Sequence, residues 1–153
     1  MSEPRIYPVP NPLEHVLDDG PRTEFLLSDA DERLARLVDD IALLVADRVA
    51  VLATWADQAD DVLWAGRDSV AGPATVVLEV AEAAGMEAVG SVARGICILL
   101  DDAEEGAGRP AEALRVHLRA LVFALAQSGK PEAAGLAVAD ALHGLRTSLG
   151  FSE

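Results

Sequence analysis

Apolar and polar positions alternate at helical spacing through most of the chain. After Ser28, apolar side chains recur in alternating steps of four and three residues, the spacing of a coiled-coil seam. Ser28 and Asp31 resemble a capping box at its start. The pattern predicts one long helix from residue 29 to about residue 65. Its seam contains Leu34, Val38, Ile41, Val45, Leu52, Trp55, Ala59 and Val62, with Arg48 in one seam position.

The predicted length of this helix has a consequence for packing. At a rise of roughly 1.5 Å per residue the helix would extend about 55 Å, more than a small bundle requires. We therefore expect either a bend within it or a far end that packs on another subunit. Arg48 should find a carboxylate or reach water, because an isolated buried charge is costly.

Glycine and proline divide the middle of the chain into shorter helices. The stretch AGRDSVAGP marks a break, and Pro73 suits the first turn of a second helix that runs to about Ala84. After a turn at Gly85, a third helix is predicted from Glu87 to Leu100. Its apolar stripe contains Val89, Val92, Ile96 and Leu99.

The last third of the chain is predicted to form an antiparallel helical hairpin. Pro110 opens its first helix, which ends near Ser128 with Gly129 as a cap, and a second helix runs from Pro131 to Gly150. Strand-like alternation is not found in the sequence. We therefore predict an all-α bundle of four to five helices, formed by residues 28–150 as a single domain.

Residues 1–27 have a different composition from the rest. Their prolines impose extended geometry, and they stand at Pro4, Pro8, Pro10, Pro12 and Pro21. Leu13, Val16 and Leu17 could form one short amphipathic turn between them. We predict an extended N-terminal arm whose apolar turn lies across the domain or binds a partner.

Charge and cysteine content narrow the choice of partners and compartment. The formal net charge is -14, which repels phosphate backbones and anionic membranes and suits a protein partner with a basic surface. The longest charge-free runs fall short of the roughly 18–20 residues that span a bilayer. Cys97 is the only cysteine, and the N-terminus lacks the features of a signal peptide. We expect a soluble cytoplasmic protein without a membrane span and without bound nucleic acid.

Motifs for catalysis, metals and cofactors are not apparent in the sequence. It contains no phosphate-binding loop, dinucleotide fingerprint or nucleophile elbow, and its few histidines are dispersed. Gly85, Gly90 and Gly95 stand five residues apart, which predicts a turn and close helix contacts. We therefore expect a non-enzymatic chain with no cofactor and no metal.

His117 is the strongest candidate for a reactive group. In the stretch RVHLRAL it shares a helix face with small residues, which would leave room for an approaching receiver-like domain. Histidine phosphotransfer proteins follow their histidine with Lys and Gly at the third and fourth positions, but this chain has Ala120 and Leu121 there. The competing interpretation places His117 at a helix–helix boundary with one ring nitrogen hydrogen-bonded.

Three functions stay open on the sequence alone. The leading hypothesis is a regulatory or adaptor protein that acts through protein–protein contacts, either with a partner or as a homodimer. Trp64, at the end of the long helix, could line the core or anchor that partner. The alternatives are a divergent phosphotransfer protein with His117 as acceptor and a sensor that holds a small ligand between its helices.

Overall fold

The computed structural model describes residues 20–104, 110–129 and 133–151, and every regular element in these ranges is helical. The predicted all-α fold is therefore confirmed. In chain order the helices are α1 (Gly20–Ala53), α2 (Asp60–Ala65), α3 (Arg67–Val80), α4 (Glu87–Glu104), α5 (Ala111–Gln127) and α6 (Ala133–Ser148). A short 3₁₀ helix, Glu82–Ala84, precedes α4.

The chain divides into two compact units, Met1–Leu37 and Val38–Glu153. The described part of the first unit is helical and belongs to α1, which begins at Gly20 rather than at Ser28. Pro21 stands in the first turn, where its missing N–H removes no intrahelical hydrogen bond. The predicted docking residues of the arm, Leu13, Val16 and Leu17, lie outside the described residues.

The predicted continuation of the first helix to residue 65 is wrong. Helix α1 ends at Ala53, and the next residues form tight turns in which the N–H of Trp55 donates to the carbonyl of Leu52 at 3.1 Å. The hydroxyl of Thr54 donates to the carbonyl of Val51 at 2.7 Å, and such local bonds compete with the helical ladder. The expected bend is thus present, and it separates α2 from α1, which raises the number of helices.

The expected place of Pro73 in a first turn is also wrong. Pro73 is the seventh residue of α3, which begins at Arg67. A proline ring normally clashes with the Cβ of the residue before it. Gly72 has no Cβ, which removes one of the clashes that a proline causes inside a helix. The chain is therefore interrupted between helices at Gly66, one residue before α3, and not at Pro73.

Helix α4 is the central element of the second unit and packs against α3, α5 and α6. Its predicted apolar stripe from Val89 to Leu99 is buried, which confirms the spacing argument. The turn before it is confirmed as well, since Gly85 has a φ of +70°, a value that favours glycine. Val45, Val49 and Leu52 of α1 belong to the same apolar core.

The C-terminal helical hairpin is present as α5 and α6. Pro110 immediately precedes α5, and Gly129, with a φ of +81°, follows it. Gly150, with a φ of +85°, follows α6 in the same way. Pro131 lies outside the described residues. These helix ends are close to the predicted ones because each is fixed by local backbone chemistry.

Candidate functional site

His117 lies on α5 with its ring fully buried, at 0% exposure. Its Nδ1 is 2.8 Å from the carbonyl oxygen of Ala113, one turn earlier on the same helix. Because a carbonyl only accepts, Nδ1 carries the hydrogen and donates it. The other ring nitrogen, Nε2, is then an acceptor, and it is buried without a hydrogen-bond partner.

Three helices meet at this ring, at the position of Gly95 on α4. A Cβ at residue 95 would lie 2.8 Å from Cδ2 of His117 and would overlap the guanidinium of Arg146 from α6. Arg146 is itself 5% exposed, and its Nη2 lies 3.4 Å from Nδ1 of His143. We call Gly95, His117 and Arg146 the polar cluster. The missing side chain of Gly95 makes room for the other two, as the sequence predicted for close helix contacts.

The environment of the polar cluster favours the neutral form of His117. Burial lowers the pKa of the imidazole, the hydrogen bond to the carbonyl of Ala113 raises it, and the positive charge of Arg146 lowers it further. The net effect is a pKa below the ordinary value, because burial is the largest of the three influences. The ring is therefore uncharged at neutral pH.

The enclosed ring bears directly on the phosphotransfer alternative. A phospho-acceptor histidine must present a ring nitrogen to a receiver domain, whereas both nitrogens of His117 are buried. The structure counts against this alternative. It agrees with the competing interpretation, a histidine at a helix–helix boundary with one nitrogen hydrogen-bonded.

Arg146 is the buried residue that the sequence interpretation missed. It is 5% exposed, although its neighbours His143 and Thr147 are exposed. A usable signal exists, because the buried positions of α6 are Gly135, Ala139, Leu142 and Arg146, in steps of four, three and four. An arginine that continues an apolar stripe is a candidate for burial.

Trp64 packs in the core at 9% exposure, so its side chain does not offer a surface anchor to a partner. Of its two sequence interpretations, the structure agrees with the core one. Trp55 is half-buried, and its ring covers Gly66, where a Cβ would overlap it. Trp55 thus packs on the residue that links α2 to α3, and Trp64 is buried within α2.

Helix α1 carries most of the large apolar side chains that are exposed in the described chain. They are Phe25, Leu26, Leu27, Leu34, Leu37, Leu43, Leu44 and Val51. Leu34 is 60% exposed although the sequence placed it on the buried seam. Exposed apolar patches of this kind mark interaction sites in many proteins.

Part of this exposed set follows a second coiled-coil spacing, separate from the buried residues Val45, Val49 and Leu52. We call it the outer stripe: Leu27, Ala30, Leu34 and Leu37, all exposed and all in the first unit, in steps of three, four and three. Arg48 has an ion pair with Asp47 at 3.8 Å, one of the two outcomes that the sequence left open, and its Nε is buried without a hydrogen-bond partner.

A cleft of about 450 Å³ opens between the start of α5 and the end of α6. All but one of its lining side chains are apolar, and the exception, Glu112, is paired with Arg115 at 2.6 Å. The lining residues are Pro110, Glu112, Ala113, Val116, Leu145, Leu149 and Phe151. The volume lies within the range of small-molecule sites.

The arginines that flank His117 in sequence point away from it. Arg115 binds Asp60 at 2.5 Å and the carbonyl of Gln58 at 3.0 Å, so it connects α5 to the residues after α1. The carboxylates of Asp60 and Glu112 raise the pKa of the Arg115 guanidinium. Arg119 makes a more exposed pair with Asp57 at 3.1 Å.

Other chemistry in the described residues is limited. They hold no group of three or more His, Cys, Asp or Glu side chains placed to bind a metal. Cys97 is half-buried, its Sγ lies 4.0 Å from the hydroxyl of Thr75, and burial raises the pKa of its thiol. A raised pKa makes the thiol a poor nucleophile. Within the same ranges, no helix combines the length and the hydropathy needed to cross a membrane.

Comparisons with known proteins give no relative of this chain. No family model matches it, and no curated protein or solved structure is significantly similar. What the protein does must be inferred from its own residues.

Proposed function

We propose that this chain is a non-enzymatic adaptor that acts by protein–protein contact, with the outer stripe of α1 as its contact surface. The observation that carries the proposal is the exposure of large apolar side chains on a helix whose other apolar face is already used in the core. Covering such side chains contributes about 1.5–3 kcal/mol for each one that becomes fully buried. A partner helix is the natural cover for a stripe with coiled-coil spacing.

The polar cluster supports a structural role for its members in this proposal. Its titratable ring is enclosed and neutral, and it joins three helices of the bundle. Such a cluster can specify one packing arrangement. The single cysteine and the acidic charge support the cytoplasm as the site of action and favour a partner with basic groups near its apolar surface.

Affinity capture with three forms of the full chain tests the proposal. They are the unaltered chain, Leu34→Glu in the outer stripe, and Leu43→Glu, which is 70% exposed on the same helix but outside the stripe. We expect one protein to be retained by the unaltered chain and by Leu43→Glu and lost with Leu34→Glu. Retention by all three forms, or by none, would contradict the assignment of the stripe.

A second candidate function is the binding of a small apolar molecule in the cleft between α5 and α6. The cleft volume and its apolar lining support it, and the net charge of -14 favours an uncharged or cationic ligand over an anionic one. Thermal unfolding with a panel of uncharged apolar compounds tests it. A stabilising compound should lose its effect in Leu149→Asn, which alters the cleft, and keep it in Leu136→Asn. If no compound raises the melting temperature, the cleft does not bind uncharged apolar molecules of the kinds tested.

A further inference from the structure

The cleft between α5 and α6 has an apolar floor and one charged side chain at its rim. Ala113 and Phe151 are buried, and they belong to one apolar cluster with Leu99 of α4. Leu149 is exposed at the rim. Among the lining residues only Glu112 carries a charge, and its side chain is 78% exposed. Small-molecule sites commonly combine apolar walls with a few polar groups that orient the ligand.

The backbone after α6 builds the floor of the cleft. The N–H of Phe151 donates to the carbonyl of Arg146 at 3.1 Å, and the N–H of Gly150 donates to the carbonyl of Thr147 at 3.1 Å. With a φ of +85° at Gly150, this is a Schellman motif, which reverses the chain at the end of a helix. The reversal brings Phe151 against Ala113 of α5. The floor is therefore fixed by the fold itself.

The carboxylate of Glu112 is only partly neutralised by Arg115. Nη1 of Arg115 lies 2.6 Å from Oε2 of Glu112, and its Nη2 binds Asp60 at 2.5 Å. The same Nη2 donates to the carbonyl of Gln58 at 3.0 Å, which holds the guanidinium towards the residues after α1. One positive charge is thus shared by two carboxylates, so the group keeps a negative charge. The bond to Arg115 uses Oε2 and leaves Oε1 of Glu112 as an acceptor at the rim.

The charges around the cleft in sequence have the same sign. Residues 101–109, which precede Pro110, have the sequence DDAEEGAGR, with four carboxylates and one arginine. The whole chain has a formal net charge of -14. A negative field attracts cations and opposes the approach of anions. A ligand with an ammonium group is therefore favoured over one of the same shape with a carboxylate.

We propose that this cleft binds an amphipathic amine, a small molecule with an apolar body and one ammonium group. The body covers Ala113 and Phe151, and the ammonium group donates to the carboxylate of Glu112. The inference rests on the second candidate function and names its class of ligand. Burial of apolar surface supplies most of the affinity, because an exposed ion pair contributes at most about fivefold. The charge selects among the molecules that fit the cleft.

Calorimetric titration of the full chain with three probes of one alkyl length tests the proposal. At neutral pH octylamine is a cation, octanol is uncharged and octanoate is an anion. We expect octylamine to bind about fivefold more tightly than octanol, and octanoate to bind most weakly. High salt should reduce these differences, because it screens exposed charges. Equal affinities for the three probes, or tightest binding of octanoate, would overturn the proposal.

Two pairs of variants locate the bound amine. Glu112→Gln should weaken octylamine binding roughly threefold to fivefold and leave octanol binding within about twofold. Glu79→Gln, which removes an exposed carboxylate of α3, should change neither. Leu149→Asn should weaken all three probes, and Leu136→Asn on the same helix should not. Octylamine binding that survives both Glu112→Gln and Leu149→Asn would place the amine elsewhere on the acidic surface and contradict the assignment.

This inference and the second candidate function fail in different ways. If the three probes bind equally and all lose affinity in Leu149→Asn, the cleft is a ligand site and the charge selection is wrong. If no probe binds, both proposals are wrong. Circular dichroism of each variant shows whether its helices are retained, and the comparison of probes on the unaltered chain depends on no variant.

Discussion

Helices α1 and α4 are both rich in apolar residues, but they meet different surroundings. Helix α4 is covered by α3, α5 and α6, and its apolar side chains from Val89 to Leu100 are buried. Helix α1 buries Val45, Val49 and Leu52 and leaves most of its other large apolar side chains exposed. Apolar content alone therefore does not tell which residues form the core.

The difference between the two helices comes from small residues at contact points. Helix α4 contains Gly90 and Gly95, and Gly95 lets the buried side chains of α5 and α6 come close to its backbone. The outer stripe of α1 has only Ala30 as a small residue, and large leucines occupy most of its length. A helix of the first kind suits the centre of a bundle, and one of the second kind suits a seam with another helix.

The largest expected effect contrasts equal substitutions in the two helices. Leu99→Ala removes a fully buried side chain of α4 and should lower the free energy of unfolding by about 2–5 kcal/mol. Leu34→Ala in α1 should change it by less than about 0.5 kcal/mol under conditions that keep the chain monomeric. Urea unfolding of both variants measures the contrast. Equal losses would show that α1 is buried as deeply as α4.

A second contrast concerns two helical glycines. Gly95→Ala places a methyl group against His117 and Arg146 and should cost about 1–3 kcal/mol, because a packed core resists added volume. Gly144→Ala on α6 meets nothing within 4 Å and should stabilise by about 0.5–1 kcal/mol through helix propensity. Thermal and urea unfolding should shift in opposite directions. A stabilising Gly95→Ala would show that the polar cluster is loosely packed.

The polar cluster should make stability depend on pH. The pKa of His117 is lowered from its ordinary 6.5, so the unfolded chain binds this proton more tightly than the folded chain. Its contribution to stability is complete above pH 6.5 and is lost as the pH falls from 6.5 towards the lowered pKa, at up to about 1.4 kcal/mol per pH unit. Urea unfolding between about pH 8 and pH 5 measures it. His117→Leu should reduce the dependence of the free energy of unfolding on pH in this range. An unchanged dependence would show that other titratable groups cause it.

The smallest expected effects are at the ion pairs after α1. Arg115→Gln should destabilise the fold more than Arg119→Gln does, because Arg115 is 15% exposed and also donates a hydrogen bond to the carbonyl of Gln58. Arg119→Gln breaks an exposed pair with Asp57 and should cost less than about 0.5 kcal/mol. Equal effects in urea unfolding would show that Arg115 does not anchor the residues that follow α1.

The periodicity of apolar residues predicts correctly those elements whose ends are determined by nearby residues in the sequence. The stripe of α4 and the turn at Gly85 follow from spacing and from the backbone freedom of glycine. The end of α1 at Ala53 was not predicted, because the apolar spacing continues past it while the Thr54 hydroxyl and the packing of Trp55 on Gly66 favour a turn. Those causes are tertiary or depend on side-chain geometry.

Only part of the polar cluster could be predicted from the sequence. His117 was identified, and a buried boundary position was one of its two interpretations. Arg146 was not, because its polar neighbours concealed the apolar stripe that it continues. Burial of an arginine depends on space left by another helix, here at Gly95, which spacing within one helix does not reveal.

The placement of the two tryptophans determines what ultraviolet emission can report. Trp55 and Trp64 are the chain's only indoles, and both pack at the corner after α1. Their emission maximum should shift to longer wavelength when this corner unfolds and the indoles become exposed to water. It should change little when a partner without tryptophan covers the outer stripe, since no indole belongs to the stripe. Emission will therefore report unfolding of this corner separately from binding at the outer stripe.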